Sequence, residues 1–351
     1  MKIKKETIII VGKYKGFGGV QTIHKNLFNI YKSMGYKVFL LDSIKEYINY
    51  LLRDKSNSIT KIVFFSGLSL IFSPLFIGKA KHVFFTHGFY IYEGISSPKR
   101  MFKKIIYEFT IKFLLKFYKW VLCISPSPTS TLVNSIAFSK KVETVPWGVS
   151  EEYIKFPIKS NSYKYHLVFL GRPNSQKLQI SKIREIIHLF KNQQIVSETK
   201  NLSFAFIVPN LNKHLKFIQK SIKEDYDCSI KTFIKLDDNN VAEVLSKSLY
   251  SFNCFDWEAY GLSYIESLCM GCNVILPNTS PIIPLIDFMQ DSPVFKLNYS
   301  KTLNPPFIKN ELKLTNKRMS LKNINYFRSI FKWENTINQI NNLIRENKKN
   351  D

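Results

Sequence analysis

The sequence predicts an α/β protein of two domains, each a parallel sheet covered by helices, with a cleft between them. Three observations carry that prediction. Short apolar runs alternate with longer helical patterns; the alternation halts at a polar connector and restarts; and 351 residues exceed what one hydrophobic core usually organises. In such folds ligands sit outside the carboxyl ends of strands, and a two-block chain offers the cleft between its blocks.

The first block has strand-like runs at 7–11, 38–41, 61–65, 82–85, 121–124 and 142–145, with helical patterns at 20–34 and 98–119 between them. After Pro146-Trp147-Gly148 a polar connector runs to about Tyr163. The second block restarts with runs at 166–170, 204–208, 229–234, 251–255 and 274–276. No repeat recurs at a fixed period.

Composition excludes several classes. Apolar residues at 45% and charged residues at 22% are too rich in core-forming side chains for disorder. The apolar stretch near the N-terminus is too short for a signal peptide, and the best spanning candidate, 105–124, is interrupted by Glu108, Lys112, Lys116 and Lys119. Five cysteines make an odd count for a disulfide framework, so a reducing, cytoplasmic setting is expected. The net charge of +25 calls for anionic partners, and 23 Lys+Arg against 7 Asp+Glu up to Ser150 put +16 of it in the first half.

Three local patterns carry chemistry. Gly16-Phe17-Gly18-Gly19-Val20-Gln21 follows the first strand and opens a helix, where glycines let the backbone approach an anion. Gln21 stands where a dinucleotide fingerprint needs glycine, and alone the turn reads equally as an ordinary strand-to-helix connection. Gly171-Arg172 through Lys177 follows another strand; the two cations suit a diphosphate, the Arg as a fork and the Lys as a point charge, or are simply solvated. The third pattern is the most informative. Glu258 and Glu266 flank a Gly261 turn and a helix start, with Glu266 expected in the first helical turn beside the amides of Gly261 to Ser263. Carboxylates accept hydrogen bonds only, which suits the hydroxyls of a sugar or ribose.

The segment from Glu258 through Ile275 resembles the E-x7-E signature of GT-B retaining glycosyltransferases of the large family 4 type. Gly18-Gly19, Thr86-His87-Gly88, Cys123-Ile124-Ser125, Val145-Pro146-Trp147-Gly148-Val149, the Arg172…Lys177 loop, the stretch 236–249 and Phe331-Lys332-Trp333-Glu334 follow that family's order and spacing. The resemblance implies two Rossmann-like domains facing a central cleft: an acceptor-side domain at 1–150, a linker at 151–163, a nucleotide-sugar domain at 164–325, and a C-terminal helix in 326–351 crossing back. It also implies roles. Arg172 and Lys177 match the pair neutralising the leaving diphosphate, Glu258 the contact to the transferred sugar, and Glu266 the ribose ligand. Leu262 and Ser263, after Gly261, match backbone donors to phosphate and sugar. Gly19, with Gly18, matches the loop closing over the β-phosphate, and His87 a histidine near the sugar. No cofactor or essential metal is implied; fixed cations and helix amides would take up the leaving charge.

The chain departs from the family pattern at Leu178, at Pro209-Asn210-Leu211, at Asn273 and over 277–284, positions bearing on base and sugar. Asp225-Tyr226-Asp227 imitates a metal-binding D-x-D but reads as a charged surface turn, and Cys269-Met270-Gly271-Cys272 lacks the second pair a zinc site needs. His24, His82, His166, His188 and His214 show no ligand spacing.

The helix expected from Pro98 carries Phe102, Ile106, Phe109, Phe113 and Phe117 on one stripe and Lys104, Lys112, Lys116 and Lys119 opposite. It reads as core-packed with a solvated basic face, and the same lysines suit anionic lipid. A nucleic-acid binder would explain the charge, yet no recognised binding motif appears, and an inactive GT-B interaction protein would not need both cation pair and glutamate pair. The expectation is therefore a metal-independent retaining glycosyltransferase, peripheral on the inner face of the cytoplasmic membrane. It would use a nucleotide-sugar donor and a lipid-linked surface-polysaccharide acceptor (O-antigen, capsule or lipopolysaccharide), without nucleic acid.

Overall fold

A parallel strand covered on both faces must be apolar on both, and Thr7–Val11 (β1) is buried at every position. The computed structural model describes residues 7–12, 15, 19–53, 61–66, 81–86, 120–123, 142–158, 162–174, 177–193, 195, 202–253, 260–277, 283, 294–297 and 314–346. The chain divides into two compact units, Met1–Gly148 with Trp333–Asp351, and Val149–Lys332.

In the first unit β1 is joined by Lys37–Leu41 (β2), Lys61–Ser66 (β3), Lys81–Thr86 (β4), Trp120–Cys123 (β5) and Val142–Thr144 (β6), in the order β2-β1-β3-β4-β5-β6. Every pairing is parallel. The order turns back between β1 and β3, which makes that point the sheet's topological switch. Gly19–Ser33 (α1) follows β1 and buries Ile23, Leu27 and Tyr31; Ile44–Arg53 (α2) follows β2 and buries Tyr47. The last helix, Trp333–Glu346, belongs to this unit. The Thr336 hydroxyl donates to the Pro146 carbonyl at 2.8 Å, and the Trp333 and Trp147 rings meet edge to face at 5.3 Å.

In the second unit a short helix, Glu151–Lys155 (α3), precedes an alternating run. It comprises Tyr165–Leu170 (β7), Ile180–Asn192 (α4), Leu202–Val208 (β8), Lys213–Asp225 (α5), Cys228–Ile234 (β9) and Asp238–Ser246 (α6). Ser248–Phe252 (β10), Leu262–Cys269 (α7), Asn273–Pro277 (β11), Val294–Leu297 (β12) and Leu321–Ile330 (α8) complete it. The sheet order is β12-β11-β10-β7-β8-β9, all parallel. Counted within the unit this is the doubly wound Rossmann order, and it reverses between β7 and β10. Phe169, Phe190, Phe204, Phe206, Tyr250 and Phe252 fill the core beneath α4 and α5. Asn212, Asp237 and Ser320 cap α5, α6 and α8 by accepting from the amides of Leu215, Asn240 and Asn323.

The structure differs from the sequence expectation in several places. The strand expected at 251–255 is Ser248–Phe252, three residues earlier. Ser248 and Ser251 are fully buried, and the Ser248 hydroxyl is satisfied by the Val244 carbonyl at 2.8 Å, so polarity there does not signal exposure. The polar connector contains α3, whose Tyr153 is buried. The C-terminal segment comes as two helices, α8 and Trp333–Glu346, and only the second lies in the first unit. Strand β12 was not anticipated. The basic helix expected at 98–119 lies outside the described residues. Among the described residues no helix is long and apolar enough to cross a membrane.

Candidate functional site

The site is built where the second sheet reverses direction. Strands β7 and β10 are hydrogen-bonded neighbours, with Leu167 beside Tyr250 and Val168 beside Ser251. Both chains therefore leave the sheet at the same edge, about 5 Å apart, the usual spacing of paired strands. One runs into the loop that carries Arg172 and Lys177, the other toward α7 with Gly261, Leu262, Ser263 and Glu266. This is the crevice outside the carboxyl ends at a switch point, where open α/β sheets bind ligands.

The described residues of the β7 exit loop, 171–174 and 177–178, are held by backbone hydrogen bonds. The Gly171 amide donates to Ile207 at 3.1 Å, Asn174 to Arg172 at 3.0 Å, and Leu178 to Asn174 at 2.9 Å. The Asn174 side chain also accepts the Lys177 amide at 2.9 Å. Two residues at the start of the neighbouring α5 tie the loop down: the amide group of its cap, Asn212, donates to Pro173 at 2.7 Å, and His214 Nε2–H to Leu178 at 2.8 Å. Within this frame Arg172 is exposed and, among the described residues, its guanidinium meets no acid partner; Lys177 is half-buried. A fixed loop holding an unpaired fork of N–H donors is pre-organised for a bidentate anion.

On the β10 side, Gly261 adopts the left-handed conformation (φ 81°, ψ 48°) and starts α7. A side chain there would cost roughly 1–2 kcal/mol. Leu262 and Ser263 are the first two helical residues, so their amides have no partner within the helix. The far end of α7 is anchored by two arginines: Arg328 Nε–H donates to the Cys269 carbonyl at 2.8 Å, and Arg318 to that of Met270. Cations at a helix C-terminus complement its dipole.

Glu266 is the fifth residue of α7 rather than a member of its first turn, because the Gly261 conformation starts the helix at Leu262. Its carboxylate stands near Tyr153 of α3. Burial pushes the Tyr153 phenol well above the usual range, and the charges of Glu266, Asp238, Glu152 and Asp237 raise it further. Asp238 in turn accepts from the Ser150 hydroxyl at 2.5 Å. Sequence reasoning missed Tyr153, which sits in a charged connector, and also Asn253 at the end of β10. Asn253 is 2% exposed, and its amide donates to Ser263 Oγ at 3.1 Å.

Gly19 opens α1 after β1, on the first unit's own switch point. Gly18, His87 and Glu258 lie outside the described residues. The remaining motifs take structural positions. Asp225 closes α5 and pairs with Arg184 at 2.7 Å. Cys269 and Cys272 are fully buried; desolvation raises both thiols, Cys272 to about 12, and Cys272 Sγ donates to Leu245 at 3.1 Å. His166 shares Nδ1 with the Ser203 hydroxyl at 2.7 Å, and His188 meets Tyr226 edge-on. Among the described residues no group of three or more His, Cys, Asp or Glu could hold a metal ion.

No protein-family model and no curated protein matches the sequence. Solved structures do match in three dimensions. The chain is similar to sucrose-phosphate synthase from Thermosynechococcus elongatus, with TM-score 0.71 and 12% identity over 99% of this chain and 100% of that one. It is similar to HepE from Anabaena in complex with UDP and glucose, with TM-score 0.62 and 11% identity over 97% and 100% of the two chains. The catalytic domain of starch synthase IV from Arabidopsis thaliana, bound to ADP and acarbose, matches with TM-score 0.61 and 11% identity over 97% and 99%. At these identities the likeness is one of fold: the chain has the GT-B architecture of glycosyltransferases, with two parallel-sheet α/β units.

Proposed function

We propose that this protein is a glycosyltransferase that takes a sugar from a nucleoside-diphosphate donor, with retention and without an essential metal. One observation carries the reading: the Arg172…Lys177 loop and the Gly261–Glu266 helix start leave the sheet from paired strands at its switch point. Support comes from the GT-B fold and from similar structures that are complexes with UDP and with ADP. The leaving diphosphate gains charge as the glycosidic bond breaks. Arg172, Lys177 and the free amides of α7 would stabilise it more in the transition state than in the ground state. Glu258 would hold the transferred sugar, Glu266 the ribose hydroxyls, Gly18 and Gly19 the β-phosphate side, and His87 the sugar. The acceptor hydroxyl would attack from the face the diphosphate leaves, with water excluded.

The proposed acceptor is a growing, lipid-linked surface polysaccharide, and the proposed setting is the inner face of the cytoplasmic membrane. The support for both is the +16 of residues 1–150 together with the lysine face expected at 98–119. A phosphorylated sugar acceptor is the second reading. It fits the same charge, and the structural likeness to a sucrose-phosphate synthase speaks for it. Calorimetric titration with a panel of nucleoside diphosphates and their sugars tests the donor reading: saturable binding is expected, and its absence across the panel would overturn it. Turnover assays with lipid-linked oligosaccharides against sugar phosphates then separate the two acceptors.

A further inference from the structure

The end of β10 holds a buried amide whose chemistry the donor reading leaves unused. Asn253 is 2% exposed, donates through Nδ2 to Ser263 Oγ at 3.1 Å, and its own Oδ1 is buried without a partner among the described residues. Ser263 is the second residue of α7 and half-buried, and its main-chain carbonyl is already taken by the Ser267 hydroxyl at 2.6 Å. A serine hydroxyl is a rotor with one hydrogen to give. Because its oxygen accepts from Asn253, that hydrogen is turned away from the strand. Among the described residues the Ser263 side chain makes the Asn253 bond and no other, so none of them accepts that hydrogen. The hydroxyl thus points a donor out of the first turn of α7, alongside the free amides of Leu262 and Ser263, at the switch point of the sheet.

We propose that Asn253 is a positioning residue that fixes the Ser263 hydroxyl as a hydrogen-bond donor to a phosphate oxygen of the bound nucleoside diphosphate. The inference rests on the donor reading above and adds to it a side-chain contact and the residue that orients it. An acceptor in place of Asn253 would capture the hydroxyl hydrogen and turn it inward, so the two amide atoms have opposite consequences for the ligand. A buried amide serving packing alone carries no such polarity. Ser251 Oγ, two positions earlier along the strand, is also buried without a partner among the described residues. An internal water bridging Ser251 and Asn253 is therefore the competing occupant of this corner.

The test is calorimetry of the full chain with UDP, ADP and GDP, using whichever the wild type binds, alongside denaturant unfolding of each variant. Ser263→Ala is expected to weaken binding about tenfold, while Ser263→Thr, which keeps the hydroxyl, stays within about twofold. Asn253→Ala is expected to lose several-fold. The double variant Asn253→Ala/Ser263→Ala should bind like Ser263→Ala alone, because the amide acts through the hydroxyl. Asn253→Asp, nearly isosteric and accepting only, is expected to bind at least as weakly as Ser263→Ala; it carries the test if Asn253→Ala does not fold. Asn253 variants that unfold more easily yet bind like the wild type would overturn the proposal in favour of packing or an internal water. So would losses that multiply in the double variant. A wild type that binds none of the three nucleotides overturns the donor reading itself, and with it this one.

Discussion

The Asn212 carboxamide bridges two elements of the candidate site: Nδ2 donates to the Pro173 carbonyl at 2.7 Å and Oδ1 accepts the Leu215 amide at 2.8 Å. One side chain thus caps α5 and ties down the loop that carries Arg172 and Lys177. The two bonds separate by chemistry. Asn212→Asp keeps the acceptor and the cap but loses the donor to Pro173. It is expected to weaken nucleoside-diphosphate binding several-fold with little change in unfolding free energy. Asn212→Ala should lose both, with stability down by about 1 kcal/mol. Denaturant melts and calorimetry of the two variants check this; a full loss of stability in Asn212→Asp with normal binding would show that the loop tie does not matter.

The glutamates should divide by kinetic signature. Glu258→Gln is expected to bind free nucleoside diphosphate nearly normally and turn over far more slowly, because a sugar contact tightens as the bond breaks. Glu266→Gln should lose nucleotide affinity, by about 1.5–3 kcal/mol for a hydrogen bond to a charged group. Steady-state kinetics beside calorimetry decides it. If Glu258→Gln loses the free nucleotide and Glu266→Gln does not, the roles are reversed.

Cys269 and Cys272 give a pH prediction. Burial raises both thiols, Cys272 to about 12, whereas in the unfolded chain a thiol ionises near 8.5. Above that point the unfolded state sheds protons that the folded state keeps, so stability should fall as pH rises from about 9 toward 12. Below it the contribution is fully present. Urea melts across that range should show the decline, and Cys272→Ser should shallow it. Alkylation at pH 8 should leave both thiols unmodified until the chain unfolds.

The membrane proposal predicts sedimentation with anionic but not zwitterionic vesicles, released by moderate salt. Exchanging Lys104, Lys112, Lys116 and Lys119 for Gln should weaken it without unfolding the protein. Equal binding to neutral vesicles would return those lysines to a solvated face.

The fold was legible because buried parallel strands must be apolar throughout, so runs such as Thr7–Val11 and Leu202–Val208 stand out between helical patterns. The pattern failed where polar side chains are buried. Ser248, satisfied by the Val244 carbonyl, and the buried Ser251 hid the start of β10, and Glu151–Lys155 hid a buried Tyr153 inside a charged connector. The signature helix and the cation loop could be read as motifs, but no sequence spacing shows that β7 and β10 are neighbours; that comes only from the strand order. Asn253 and Asn212 were missed for the same reason, since each acts through a partner brought close by the fold.

The central claim is that the β7–β10 switch point binds the diphosphate of a nucleotide sugar through Arg172 and Lys177. The most direct measurement is calorimetric titration of wild type and the Arg172→Ala/Lys177→Ala variant with nucleoside diphosphates and their sugars, with turnover measured in parallel. Saturable binding is expected in the wild type and loss of it in the double variant, and each single exchange should lower kcat/KM by about 10²-fold, roughly 2.7 kcal/mol. Normal binding and turnover in the double variant, or binding that is unsaturable and steeply salt-dependent as for a general polyanion surface, would contradict the account.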